Sequence, residues 1–135
     1  MNPVVKNILA VIAGLVAGSI VNMGLIKLGH SIVALPEGAD VSDMEKLKES
    51  MDLFEPRHYI MPFLAHALGV LAGAYVAALI AASHKMTFAF VIGVLFLIGG
   101  IASSFMLPAP VWFIILDLVV AYIPMAWLGG RLARK

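Results

Sequence analysis

The side chains most capable of chemistry are an acid and a histidine that stand alone in long uncharged stretches. Asp117 is the only charged residue in 87–130, and His66 is the only histidine or charged residue in 59–83. A carboxylate surrounded by hydrocarbon either takes up a proton or draws in a partner, because its charged form is poorly solvated there. His66 is the natural partner, and such a pair shares a proton and titrates as one unit.

Helices that cross a membrane must position this pair. Of the 135 residues, 62% are hydrophobic and 13% are charged, and the mean hydropathy is +1.03. Soluble proteins have about a quarter charged residues, and a helix needs roughly 20 apolar residues to cross a bilayer. We therefore predict an all-α fold, an integral membrane four-helix bundle that forms one transmembrane domain over 1–135. The predicted spans are at about 4–28, 59–82, 87–107 and 111–128.

Prolines and short turns set the boundaries between these spans. Pro108 and Pro110 divide the long apolar stretch in two, because proline lacks a backbone donor and restricts the residue before it. The connection between the second and third spans is only Ser83 to Met86. So short a turn predicts that these two helices are antiparallel.

Four polar residues are predicted to lie at a similar depth in the outer half of the bundle. Asn22, His66 and Asp117 are each six or seven residues from the outer end of their span, which corresponds to roughly 9–11 Å. Ser103 in the third span lies slightly above that level. We predict an intramembrane polar site formed by Asp117, His66, Asn22 and Ser103. The alternative is that these residues only hydrogen-bond helices together.

Small residues predict which helices approach most closely. Gly14 and Gly18 form a GxxxG motif in the first span, and Gly69 and Gly73 belong to a ridge of small residues at every fourth position of the second. Between membrane helices, small residues allow the backbones to touch. We expect the first two spans to pack closely, either inside the bundle or across an oligomer.

The loop 29–58 is predicted to be extracytoplasmic and to contain an amphipathic helix at about 43–55. Ser42 and Glu45 have the spacing of a capping box, and Pro56 follows the helix. Four apolar residues form one stripe at helical spacing: Met44, Leu47, Met51 and Phe54. We expect the stripe to lie on the membrane surface or on the mouth of the bundle, either as a lid or as a plain connector.

A second polar group is predicted at the outer mouth of the bundle. Glu55, Arg57 and His58 precede the second span, and His30 follows the first. Long basic side chains at such positions often extend their charge to the interface while their stems cover apolar surface. Arg57 is therefore expected to be an interfacial anchor or part of a mouth above the polar site.

The distribution of basic residues predicts the orientation. Four spans put both termini on one side of the membrane. That side carries five cations and no acid: Lys6, Lys85, Arg131, Arg134 and Lys135. By the positive-inside rule we expect both termini in the cytoplasm and the protein in the cell (inner) membrane as a multi-pass protein.

Several kinds of chemistry find no support in the sequence. The absence of cysteine excludes disulfides and thiolate metal sites, and the histidines and acids lack metal-ligand spacing, so we predict no metal and no cofactor. A net charge of +1 without a basic run argues against a nucleic-acid partner. No nucleophile motif is present, which makes an enzyme the weaker interpretation.

Two functions remain as predictions. The first is an oligomeric proton- or cation-linked transporter or channel subunit that uses the polar site. The second is a non-transporting accessory or scaffold subunit of a membrane complex, in which the polar residues are structural. In both, the expected partners are the lipid bilayer and either copies of the same chain or a larger membrane complex.

Overall fold

The protein is helical throughout the part of the chain that the structure describes. The structure is a computed structural model and describes residues 2–134, which contain no β-strand. Two 3₁₀ helices, Met51–Leu53 and Pro56–Tyr59, accompany six α-helices. The α-helices are α1 (Pro3–Ile32), α2 (Met44–Ser50), α3 (Ile60–Ile80), α4 (Lys85–Met106), α5 (Val111–Val120) and α6 (Ile123–Ala133).

Four helical segments are long and apolar enough to span a membrane, which confirms that part of the prediction. They are Pro3–Ile32, Pro56–Ile80, Lys85–Met106 and Val111–Ala133. Their ends agree with the predicted spans to within a few residues. The largest differences are at the C-terminal ends of the first and last segments, where the helix continues beyond the predicted boundary. As a result, His30 lies within α1 rather than in a loop.

The fourth segment is broken, although the sequence analysis predicted a continuous helix. A turn at Ala121 and Tyr122 separates α5 from α6. Pro124 accounts for the break, because it has no N–H to offer the carbonyl of Val120 and its ring clashes with that carbonyl. The break falls one helical turn after Asp117.

α1 and α3 are antiparallel and their backbones are in direct contact. A Cβ atom added to Gly14 would lie 2.7 Å from the carbonyl oxygen of Gly73, and one added to Gly73 would lie 2.6 Å from that of Gly14. Gly18 and Gly69 approach each other in the same way, at 2.8 and 3.0 Å. The predicted close packing is therefore within one chain. These glycines are already covered, so they are not available for packing against a second copy.

α3 is the central helix of the bundle, because it contacts α1, α4 and α6. α4 packs against α6 through small residues as well. A Cβ on Gly93 would lie 2.6 Å from the Cβ of Ala126, and a Cβ on Gly130 would lie 2.7 Å from that of Ala89. The central position of α3 is what brings His66 within reach of α5.

Polar contacts close the end of the bundle at which α1 begins, here called the inner end. Lys85 Nζ donates hydrogen bonds to the carbonyl oxygens of Ala78 and Ala81, both at 2.9 Å, at the C-terminus of α3. Asn7 Oδ1 accepts a hydrogen bond from the N–H of Ala82 at 2.8 Å. These contacts satisfy backbone groups that a helix end leaves unpaired, and they fix α1, α3 and α4 to one another.

The amphipathic segment in the loop is shorter than predicted and has a different cap. Asp43 caps α2, because its carboxylate accepts the N–H of Lys46 at 2.8 Å. The predicted capping box of Ser42 and Glu45 is therefore wrong by one position, since the neighbouring aspartate offers the acceptor. After α2 the chain forms a 3₁₀ turn and becomes extended at Phe54.

The apolar stripe of this segment packs against the outer end of the bundle, opposite the inner end. Met51 is buried against Tyr59 and Phe113, and Leu47 and Phe54 pack at the edge of the same cluster. Met44, the first residue of the predicted stripe, is exposed. The segment thus covers the outer ends of α3 and α5.

We expect the substitution Gly14→Ala to lower the free energy of unfolding by about 1–3 kcal/mol, the usual cost of overpacking. The new methyl group would meet the carbonyl of Gly73 at 2.7 Å and Ile92 Cδ1 at 2.8 Å. Gly24→Ala in the same helix is the control, because nothing lies within 4 Å of its Cβ position. Unfolding in mixed micelles, followed by circular dichroism, measures both. If Gly14→Ala and Gly24→Ala lowered the free energy of unfolding equally, the close contact between Gly14 and Gly73 would be contradicted.

Candidate functional site

The candidate site is an acid–histidine pair between α3 and α5. His66 Nδ1 lies 2.8 Å from Asp117 Oδ1. The side chain of Asp117 is 8% exposed, whereas that of His66 is 28% exposed. The two residues that the sequence analysis paired are therefore in contact. The acid lies inside the protein, and the histidine reaches its surface.

Glycine packing on α3 and a proline turn before α5 hold the two partners in place. His66 is on the same face of α3 as Gly69 and Gly73, which touch α1. From α3 its imidazole reaches Asp117 of α5. On the other side, Pro110 starts α5, and the Asp117 carbonyl accepts the helix-ending hydrogen bond from Ala121 at 2.9 Å.

A third residue, Tyr122, completes the site. Its hydroxyl lies 3.4 Å from Asp117 Oδ2, a long hydrogen bond, and its ring stacks on the imidazole of His66 with centroids 6.1 Å apart. The tyrosine is buried against Gly100 of α4, where a Cβ atom would lie 2.5 Å from the hydroxyl oxygen. Both carboxylate oxygens of Asp117 therefore have a hydrogen-bond partner.

Tyr122 is not among the site residues predicted from the sequence, because the span 111–128 was expected to be one straight helix. Five positions after Asp117, a residue in a continuous α-helix is rotated by roughly 140° and faces away. Because the chain turns at Ala121 and Tyr122, the side chain of Tyr122 lies on the same side as Asp117 instead. Pro124 was the signal in the sequence, since a proline inside an apolar span indicates a break in the helix just before it.

Two residues of the predicted polar site do not join the pair. Ser103 is exposed on α4. Asn22 faces α3 at Gly69, where its Cβ lies 3.2 Å from the Cβ position of that glycine. Its Oδ1 atom is buried and has no hydrogen-bond partner within residues 2–134. His66 is directed towards α5, whereas Asn22 faces Gly69.

The predicted outer-mouth group is also divided. Arg57 Nε pairs with Glu55 Oε2 at 3.0 Å, and both side chains are exposed. His58 is buried, and its Nδ1 accepts a hydrogen bond from the N–H of Glu55 at 2.8 Å. His30 is exposed on α1. In the described part of the chain, none of these residues hydrogen-bonds to Asp117 or His66.

Two surface clefts lie away from the pair. A cleft of about 390 Å³ at the inner end is lined by residues that include His84, Lys85 and Arg134. An apolar groove of about 490 Å³ runs between α1 and α4, along Val4 to Ile12 and Phe88. Neither cleft contains Asp117 or His66.

The geometry suits the exchange of a proton. Across residues 2–134, no group of three metal-binding side chains converges. A carboxylate and an imidazole at 2.8 Å instead form a pair of bases close enough to share one proton in a hydrogen bond. The hydroxyl of Tyr122 donates to the other carboxylate oxygen and thereby stabilises the ionised acid.

Comparison with other proteins gives no relative for this chain. No protein-family model, no curated protein and no solved structure matches it. Function must therefore be inferred from the geometry of the acid–histidine pair and the helices that hold it.

We expect the pair to behave as one energetic unit in a double-mutant cycle. Asp117→Leu or His66→Leu alone should lower the free energy of unfolding by about 1–3 kcal/mol, because the first leaves the buried Tyr122 hydroxyl without its acceptor and the second leaves the buried acid without its histidine. The double substitution should cost less than the sum, with a coupling of about 1–2 kcal/mol. Ser103→Ala, at an exposed position of similar depth, should cost less than about 0.5 kcal/mol. If the loss of stability in the double variant equalled the sum of the two single losses, the contact between Asp117 and His66 would contribute nothing to stability.

Proposed function

We propose that this is a four-span integral membrane protein whose Asp117–His66 pair binds and releases a proton, in a subunit of a small proton- or cation-linked transporter or channel. The observation that carries the proposal is the unequal exposure of the two partners. A buried acid, 8% exposed, is held by a histidine that is 28% exposed. Ionisable residues inside membrane spans are generally functional because they are costly to keep there.

The pair supplies a two-step route for a proton. With the imidazole neutral and its Nδ1–H donating to the carboxylate, the second nitrogen, Nε2, has a free lone pair. A proton that arrives at Nε2 forms an imidazolium, and the Nδ1 proton then passes to Asp117. The outcome is a protonated acid and a neutral histidine that carries its proton on Nε2. Release is the same sequence in reverse.

Membrane insertion is supported by the outward faces of the long helices. These faces carry large exposed apolar side chains, among them Ile20, Phe105 and Val111. Phe105, the most exposed, has 87% of its surface uncovered. Apolar surface in water costs roughly 25 cal/mol per Å², and soluble proteins rarely expose large continuous patches of it. A lipid bilayer is the partner that would cover these faces without that cost.

We propose that the protein lies in the inner membrane of the cell and that both of its termini are in the cytoplasm. The inner end of the bundle carries Lys6, Lys85, Arg131 and Arg134 and no acid. Lys135, which the sequence analysis also counted, lies outside the described residues. Basic residues near span ends favour the cytoplasmic side.

A second function is favoured by the closed surroundings of Asp117. Both of its carboxylate oxygens have partners, and neither surface cleft reaches it. In this second function, the Asp117–His66 pair only fixes α5 against α3, and the protein is an accessory or scaffold subunit. Because the glycine ridges are used within the chain, a homo-oligomer in either case would have to form through other outward faces.

Proton movement in proteoliposomes distinguishes the two functions. We expect Asp117→Asn to reduce the dissipation of an imposed pH gradient at least tenfold, because an amide cannot take up the proton. His66→Gln should also reduce it, and Ser103→Ala should retain the wild-type rate. A pH-sensitive dye inside the vesicles measures the flux. If the wild-type protein moves no protons and Asp117→Asn only lowers stability, the scaffold function is correct.

Cysteine labelling tests the four-span topology, and the chain suits it because it contains no cysteine. In intact cells, a membrane-impermeant maleimide should label Glu37→Cys, in the loop after α1. It should label Ser83→Cys, in the turn before α4, only after the membrane is permeabilised. The reverse pattern would invert the orientation. Labelling of both positions from one side would contradict four spans.

A further inference from the structure

His58 is a buried histidine that the proton route does not use. It lies immediately before α3 and is 6% exposed. Its ring packs on Phe54 with centroids 5.5 Å apart. Phe54 also contacts Tyr59 at 5.6 Å, and Tyr59 contacts Phe113 at 4.7 Å and Trp112 at 5.9 Å. We call these five residues the aromatic cap, and it joins the amphipathic segment to the start of α5.

The hydrogen bonding of His58 defines its protonation state. The backbone N–H of Glu55 donates to Nδ1 at 2.8 Å, so Nδ1 must present a lone pair. The proton of the ring is then on Nε2. That atom is buried and has no hydrogen-bond partner in the described chain. The aromatic cap therefore holds the neutral form of His58 with its proton on Nε2.

A second proton is incompatible with this arrangement. Protonated Nδ1 would point its hydrogen at the N–H of Glu55, so an attraction at 2.8 Å would become a repulsion. The ring would also carry a buried charge among aromatic side chains, with no acceptor at Nε2. Burial of an unpaired charge is costly enough that the ring would leave the cap for solvent.

We propose that His58 is a pH sensor that keeps the aromatic cap closed when it is neutral and opens it when it is protonated. Opening separates Phe54 and the amphipathic segment from Tyr59 and Phe113. Acid on the outer side of the membrane is the signal. The sensor does not depend on proton binding by Asp117 and His66.

The charged groups around His58 favour the released imidazolium. Glu55 and Arg57, which both precede His58 in the chain, pair with each other, and Asp52 is close enough to Tyr59 to act on it electrostatically. The exposed Lys27 and His30 lie near the outer end of α1. On α5 the one acid, Asp117, is held by His66. Seven acids lie in the loop, so an imidazolium in solvent finds opposite charge there: Glu37, Asp40, Asp43, Glu45, Glu49, Asp52 and Glu55.

Distance measurements between two spin labels test the sensor in lipid nanodiscs. The labels are attached at Lys48→Cys on α2 and Met106→Cys at the end of α4, both exposed positions. Between roughly pH 7.5 and 5, where histidines titrate, we expect a single short distance to give way to a longer, broader distribution. The open population should grow at least tenfold, as loss of one buried hydrogen bond would produce.

His58→Asn is the decisive variant, because its side-chain oxygen can accept the N–H of Glu55 but cannot be protonated. It should keep the short distance at both pH values. His30→Asn, which removes an exposed histidine at the same end, should open as the wild type does. Asp40 does not contribute in this range, because hydrogen bonds from the Ser42 side chain and backbone hold the pKa of Asp40 below its usual value.

Opening that persists in His58→Asn, or a wild type that does not open, would overturn the proposal. If His58→Asn fails to close the cap at neutral pH, ¹⁵N spectra of the wild-type histidine decide the question. The proposal requires a proton on Nε2 alone in the closed form and on both nitrogens in the open form. The opposite tautomer, or an open form with a neutral ring, would refute it.

Discussion

Direct contact between the backbones of α1 and α3 is the interaction on which the rest of the structure depends. In lipid, helices gain little by hiding apolar side chains from each other, so close approach must supply the attraction. Gly14 and Gly73 meet with a Cβ position only 2.7 Å from the opposing carbonyl. That contact fixes the rotation of α3. His66 lies on the same helix and reaches Asp117 Oδ1 at 2.8 Å.

The sequence was sufficient for the features that follow from local chemistry. Charge-free stretches located four apolar helices, and the isolation of Asp117 and His66 in those stretches indicated that they would meet. Depth along a helix could also be counted. The direction of each side chain around its helix could not, because it depends on how neighbouring helices pack. Of the residues assigned to the polar site by counting, Ser103 is exposed and Asn22 faces Gly69.

The break before α6 shows how one unnoticed residue changes a site. Pro124 prevents a regular hydrogen bond to Val120, so the chain turns at Ala121 and Tyr122. The turn brings the hydroxyl of Tyr122 to within 3.4 Å of Asp117 and its ring onto His66. Broken helices near ionisable residues give a membrane protein polar groups that a continuous helix would bury in its own hydrogen bonds. The break and the acid should therefore be regarded as one feature.

α5 connects the two ionisable sites physically. In this fully described helix only Phe113 and Asp117 are buried, and they are one turn apart on the same face. Phe113 belongs to the aromatic cap and Asp117 to the acid–histidine pair. The remaining side chains of this ten-residue helix are exposed or half-buried, and of these Leu118 packs against the main hydrophobic core. The aromatic cap and the acid–histidine pair are thus attached to adjacent turns of one short helix.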